Sequence, residues 1–382
     1  MTPLFDHFVR TDPIPAINAE SIFDGLNRLS WKNANEIRNL LETWYESYSI
    51  QNKKSFISRF KSKRNEDHQG ALFELFLHQL LIKMGFKVEV DPLIGGGNTP
   101  DFHAQSVTEE PFYLEARVVD PQSLKHSTRE ELVFDELNKL HSPDFMLDSQ
   151  VRGKLTSNPR LKEIRAVFQS WIDQLDPQTI NENRYDYFTS PSKSFQQGNW
   201  IITLRPVALG PGAKVNPVSR PFLPPVIADF VDSKRPIIEG IQEKTQRYQN
   251  LDRPLIVAIN SLDLSGVSRS EILSVLFGNT ENTGHEDSAR IIPSPDNRNL
   301  KPVWSPSQNT NLSAIILFNE LQPNSITQAP FCLYENPWAA YSIPSSLRNI
   351  PHAKVEGEIV NWYKGNSAST VLGISETWPG SR

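Results

Sequence analysis

Between residues 70 and 117 the chain carries Glu74 inside an otherwise apolar stretch, then Pro100-Asp101, then Glu115-Ala116-Arg117. Three carboxylates followed by a guanidinium suit a divalent cation and a phosphodiester. A hard cation such as Mg²⁺ takes oxygen ligands, a few from protein and the rest from water and substrate phosphate. Once bound, it neutralises phosphate charge and acidifies a water. Lys loses its proton readily when its pKa is depressed, whereas Arg stays protonated. Arg117 therefore suits a phosphate clamp and is a poor general base. Lys244, which shares a helical face with Tyr248 one turn on, reads on its own as a solvated lysine.

The elements that must position these groups follow from periodicity. Residues 70–84 are apolar on most of the helical circumference and stop at Gly85, which predicts a largely buried helix. Glu74 inside it needs a partner to be tolerated, and His78 stands one turn later. Residues 86–90 alternate as a strand does, and the glycines at 95–97 mark a turn or loop. A second strand begins at Pro100, and residues 112–119, rich in aromatic and β-branched side chains, form a third. Alternation puts Tyr113, Glu115 and Arg117 on one face of that strand and Leu114, Ala116 and Val118 on the other. Residues 236–249 read as a helix leading into a continuous apolar strand at 253–260, of the kind buried on both faces.

A helix with Glu, a strand, a Pro-Asp strand and a Glu-x-basic strand resembles the PD-(D/E)xK nuclease superfamily, the fold of many restriction and repair endonucleases. The resemblance rests on Glu74, Pro100, Asp101, Glu115 and Arg117, and covers residues 66–119 with the later helix and strand. It implies an α/β, restriction endonuclease-like core, a mixed central sheet flanked by helices. It implies Asp101 and Glu115 as ligands of Mg²⁺ or Mn²⁺ and Glu74 as an accessory ligand. Arg117 occupies the family's lysine position. Some branches carry that basic residue on a helix, which implies Lys244 as the replacement and completes a catalytic set of Glu74, Asp101, Glu115, Arg117 and Lys244.

The activity so implied is metal-dependent hydrolysis of phosphodiester bonds, in DNA, in a restriction or anti-phage defence setting. That setting leaves open a homo-oligomer or a partner protein of a defence system. An alternative follows from Arg117: a catalytically inactive nuclease-like fold that binds nucleic acid or a protein. A third reading is an unrelated α/β protein in which Glu74 is a buried salt-bridge partner and Asp101 a turn residue.

Lys53, Lys54, Arg59, Lys61, Lys63 and Arg64 fall in a stretch without an acid just before the Glu74 helix, with Phe56 and Phe60 one turn apart. Such a run suits a nucleic-acid backbone. A second cluster, Arg152, Lys154, Arg160, Lys162 and Arg165, has only Glu163 against it. The net charge of −5 argues against a generally basic coat, though not against local basic patches.

With 382 residues the chain can bury a substantial core. A single cysteine, Cys332, excludes a disulfide framework and a Cys-based zinc site, which fits a reducing cytoplasm. No apolar run approaches the length of a membrane helix, and the start of the chain lacks a basic segment followed by an apolar one. The glycines at 95–97 are not followed by the Lys-Ser/Thr of a phosphate-binding loop, and no Gly-x-Ser-x-Gly elbow occurs.

The expected organisation is an N-terminal helical region at 1–65, with an apolar stripe of Ile37, Leu40, Leu41 and Trp44. A nuclease-like core at 66–265 follows, interrupted by an insertion at about 120–235, then an α+β C-terminal region at 266–382 of unassigned role. The insertion carries a helix at 161–175 and a strand at 199–208 that belongs either to the insertion or to the central sheet. The polar stretch from 278 to 299 reads as a mobile loop, and Trp304, residues 312–318 and residues 334–341 as a further strand and a C-terminal cap.

Overall fold

A computed structural model of the chain describes residues 2–48, 53–94, 99–120, 127–182, 191–208, 221–223, 234–248, 251–263, 266–285, 287–292 and 301–380. The chain separates into two compact units, residues 1–13, 22–122 and 232–382 in the first and residues 14–21 and 123–231 in the second.

The first unit is mixed α/β. It opens with α1 (Ile22–Arg28), α2 (Lys32–Ser47), α3 (Lys53–Phe60) and α4 (Asn65–Lys83), followed by β1 (Lys87–Val90), β2 (Phe102–Gln105) and β3 (Phe112–Val119). The second unit supplies α5 (Thr128–Leu137), β4 (Phe145–Arg152), α6 (Leu161–Ile172), α7 (Pro177–Glu182), β5 (Lys193–Gln197) and β6 (Trp200–Ala208). The chain then returns to the first unit with α8 (Lys234–Gln246), β7 (Leu255–Ser261), α9 (Arg269–Phe277), β8 (Thr280–Asn282) and β9 (Ser288–Ile291). It ends with β10 (Leu312–Asn319), β11 (Phe331–Glu335), β12 (His352–Glu356), β13 (Ile359–Tyr363) and α10 (Ala368–Leu372).

Ten of the described strands form one mixed sheet in the order β1-β2-β3-β7-β10-β11-β12-β13-β9-β8. β7 lies parallel to both β3 and β10, while β1-β2-β3 run antiparallel. Every residue of β7 is buried, so its continuous apolar sequence is that of a strand covered on both faces. On one face α2, α3 and α4 pack against Leu114, Ile256, Ala258, Ala314 and Ile316. On the other, Ile237 and Ile241 of α8 and Ile272 and Leu276 of α9 pack against Val257, Ile259, Ile315 and Leu317.

A glycine stop aims the chain from α4 into β1. Gly85 takes φ 94°. Its N–H donates to the Ile82 carbonyl at 2.9 Å and that of Phe86 to Leu81 at 3.1 Å. This is a Schellman closure, which needs a residue free of a Cβ at the left-handed position. Phe86 then buries its ring against Phe112, centroids 5.2 Å apart.

The polar stretch expected to be a mobile loop carries the β8-β9 hairpin, and residues 293–300 lie outside the described residues. The further strand expected at 312–318 is β10, and β10 to β13 extend the central sheet. The strand at 199–208 does not join that sheet. As β6 it is the middle of a separate antiparallel sheet, β4-β6-β5, in the second unit. That unit has its own apolar core, in which the fully buried Trp200 donates its indole N–H to Glu130 Oε1 at 2.8 Å. Glu130 also closes a capping box with Ser127 at the start of α5. Among the described residues no helix is long and apolar enough to cross a membrane.

Candidate functional site

β3 alternates as its sequence demands. Leu114 and Ala116 face α4, while Tyr113, Glu115 and Arg117 face the α8 side. Glu115, only 1% exposed, lies opposite Val257 in the parallel β3-β7 pair. Asp101 immediately precedes β2, and its Oδ2 accepts the Ala116 N–H at 2.6 Å, which ties it to β3. The Asp91 N–H donates to the Asp101 carbonyl at 3.1 Å, next to the Val90–Phe102 pair. Asp91 takes φ 49°, a left-handed conformation that short polar side chains tolerate better than most.

The basic partner comes from α8. Its buried positions Ile237, Ile241, Lys244 and, beyond the last turn, Tyr248 recur at helical spacing. Gly240 lets the helix approach closely: a Cβ there would stand 3.1 Å from Val119 Cγ1 and 3.2 Å from Arg117 Cγ. The ammonium of Lys244, whose side chain is 10% exposed, donates to Glu115 Oε2 and reaches Asp101 Oδ2 at 3.4 Å. The Tyr248 phenol donates to the other oxygen, Glu115 Oε1. The groups so gathered are 129 and 143 residues apart from Lys244 in sequence.

The electrostatics follow from burial. Burial pushes Glu115 above the ordinary carboxylate range, and the Asp101 charge adds to it, against the pull of Lys244 and Tyr248. Burial also works against the charge on Lys244, but Asp101 and Glu115 together outweigh it and hold the ammonium above its ordinary range. Lys244 is thus a cation bridging two acids. Asp91 is pushed upward by partial burial first and by Asp101 second.

Glu74 stands on α4 and is held by Arg59 of α3 through two hydrogen bonds, 2.5 and 2.7 Å. Burial is the main force on its carboxyl and pushes it up; Arg59 pulls it down, and Asp101 and Asp91 push it up again. Glu74 therefore feels the Asp101 charge while making its direct contacts to Arg59. His78 is buried in the core between Tyr48 and Phe102, and burial lowers it to about 4. His103 packs on Tyr113 and faces Arg253 at 2.9 Å.

Arg117 points along α8 and pairs with Glu243 at 3.1 Å, away from the Lys244 bridge. The basic run before α4 is less free than its sequence reads, because acids reach it from elsewhere. Arg59 is taken by Glu74, Lys61 by Asp6 at 2.9 Å, and Arg64 by Glu66 at 3.0 Å. Lys53 lies over the Tyr45 ring, 5.9 Å from its centroid. Lys54 and Lys63 are exposed. In the second cluster, Arg160 pairs with Glu163 and Arg165 with Glu136, each at 3.0 Å.

Asp91, and Asn311, whose amide donates to the Tyr248 carbonyl at 2.6 Å, carry no signal in the sequence that ties them to this place. Tyr248 does: it lies one turn beyond Lys244 on the same face, the one feature that could have marked it.

The donor set fits a hard divalent cation with few protein ligands. Asp101 Oδ2 and Glu115 Oε2 already converge on one cationic nitrogen, and Asp101 Oδ1 accepts no hydrogen bond from the described residues. Among the described residues no group of three or more His, Cys, Asp or Glu side chains lies close enough to share one ion. Two protein carboxylates, with water and phosphate completing the shell, is an arrangement Mg²⁺ accepts. Comparison with protein-family models, curated proteins and solved structures finds no match to this chain.

Proposed function

We propose that this protein is a metal-dependent nuclease of the PD-(D/E)xK type, acting on DNA, with Lys244 as its migrated basic residue. The observation that carries the reading is the Lys244 bridge. A lysine remote in sequence, on the helix that precedes the strand beside β3, meets the two strand acids at one point. A buried charge is retained at a cost, so a buried cation between two carboxylates marks a place where charge is used.

Asp101 and Glu115 are the metal-holding pair, and Glu74 is an accessory acid reached through the field it shares with Asp101. When bound, Mg²⁺ or Mn²⁺ supplies a Lewis acid for the scissile phosphate and its attacking water. Lys244, held protonated by the two acids, would stabilise charge developing on the phosphate. Arg117 reaches a flanking phosphate by leaving Glu243, a half-exposed pair whose loss costs little, about 0–1 kcal/mol. The exposed Lys54 and Lys63 give the backbone of the nucleic acid further cationic contacts.

A second reading, a nuclease-like fold that binds nucleic acid without cutting, draws on the same network. Both oxygens of Glu115 and both of Glu74 are satisfied within the protein.

One experiment separates them. Plasmid, linear DNA and RNA are incubated with the purified protein in Mg²⁺ or Mn²⁺, alongside Glu115→Ala, Asp101→Ala and Lys244→Ala. Cutting by the wild type that all three variants lose is the expected result. A protein that retains nucleic acid yet shows no metal site by calorimetry and no cutting establishes the second reading.

A further inference from the structure

Tyr248 lies just past the end of α8 and is 3% exposed. Its phenol donates to Glu115 Oε1 while Lys244 donates to Oε2, so one short stretch of chain grips both oxygens of a buried acid. The two grips differ in kind. Tyr248 is fixed at its backbone, where its N–H donates to the Thr245 carbonyl at 3.2 Å and its carbonyl accepts from Asn311 Nδ2 at 2.6 Å. Its ring is part of the apolar cluster that contains Ile237, Ile241 and Val257. Lys244 ends a flexible stem and divides its ammonium between Glu115 and Asp101. A cation arriving between the two acids meets one donor able to swing aside and one that is not.

Resting on the metal-dependent reading above, we infer that Tyr248 is a positioning residue: it reserves Glu115 Oε1, so that Glu115 offers the metal Oε2 alone. Asn311, immediately before β10, holds Tyr248 in that task. Residues hydrogen-bonded to a metal ligand fix its orientation and are commonly needed for tight binding. The relay Asn311–Tyr248–Glu115 gives part of the C-terminal stretch a share in the site.

Tyr248→Phe removes one oxygen and keeps the ring. The full chain is assayed for the Mn²⁺ concentration giving half-maximal DNA cleavage, with Mn²⁺ affinity by calorimetry and DNA affinity in Ca²⁺. The half-saturating Mn²⁺ is expected to rise about 10-fold while DNA affinity holds. The rate at saturating Mn²⁺ is expected to return to within about threefold of wild type. Asn311→Ala should move the metal requirement the same way by about threefold, and serves if Tyr248→Phe folds poorly.

An active wild type whose two variants cut at the wild-type metal requirement overturns the inference and leaves the metal-dependent reading standing. Loss of cutting with unchanged Mn²⁺ affinity overturns it too. A wild type that binds no Mn²⁺ and cuts nothing overturns both.

Discussion

Replacing Lys244 with Met keeps most of the stem and deletes the charge between Asp101 and Glu115. Both acids are within reach of a single nitrogen, the farther at 3.4 Å, so their facing oxygens lie no more than about 6 Å apart. At an effective dielectric of about 20, two unit charges at that distance repel by about 3 kcal/mol. Mutational losses of one partner from a buried ion pair, about 3–5 kcal/mol, point to the same size. Glu115, raised to about 7 even beside Lys244, takes up a proton when the ammonium is lost, so in EDTA at pH 7 the variant should be less stable by up to about 3 kcal/mol, or about 6 °C in melting temperature. Divalent cation narrows the gap. The variant's acids receive the ion without displacing an ammonium, so its affinity for Mn²⁺ should exceed that of wild type by about tenfold. At a fixed excess of Mn²⁺ that adds about 1.4 kcal/mol of stabilisation beyond what wild type gains. The assay is thermal unfolding of both proteins in EDTA and across a Mn²⁺ series, with calorimetry for affinity and cleavage in parallel. Cleavage should be lost although metal binds more tightly. A variant as stable as wild type in EDTA, or one whose Mn²⁺-induced shift is no larger, refutes the reasoning.

Two further outcomes test the frame around the site. At Gly240, Ala gains about 1 kcal/mol of helix propensity and spends it on contacts of 3.1 and 3.2 Å, so its stability should stay within about 1 kcal/mol of wild type. Val should cost about 3 kcal/mol and cut cleavage more than tenfold by lifting α8, measured by urea unfolding and initial rates. His78 is held neutral by burial down to about pH 4, against 6.5 when free. The unfolded chain binds that proton first, so stability is whole above pH 6.5 and falls by about 3 kcal/mol as pH drops to 4. Urea titrations of His78→Gln should show a shallower slope over that window; an unchanged slope removes His78 from the account.

Much of the site's frame is written in local periodicity. The alternation of residues 112–119 places Glu115 on the face opposite Leu114, and the apolar run at 253–260 marks a strand buried on both sides, as β7 is. Glu74 in an apolar helix announces the need for a partner, but its identity is not local. Arg59 meets it because α3 packs on α4, and the same packing takes a cation out of a run that reads as free. Strand order lies beyond local pattern altogether, since pairing across a hundred residues leaves no trace in spacing. Hence β6 is as compatible with the central sheet as with its own. The hairpin β8-β9 is short, polar and at the sheet's edge, where hydrophobic alternation is weakest.

The interleaving of α8 and β7 with the earlier strands also sets an order of events during synthesis. A growing chain that has emerged through β3 carries Glu74, Asp101 and Glu115 but neither the strand that pairs beside Glu115 nor Lys244. Those arrive only after the whole second unit has been made. Tyr248 gains its anchor later still, when Asn311 appears. The ribosome thus holds a chain with acids and no bridging cation while it adds the 129 residues that lead from Glu115 to Lys244. Whatever chemistry the finished site performs is withheld until the second unit, α8 and β7 have been made.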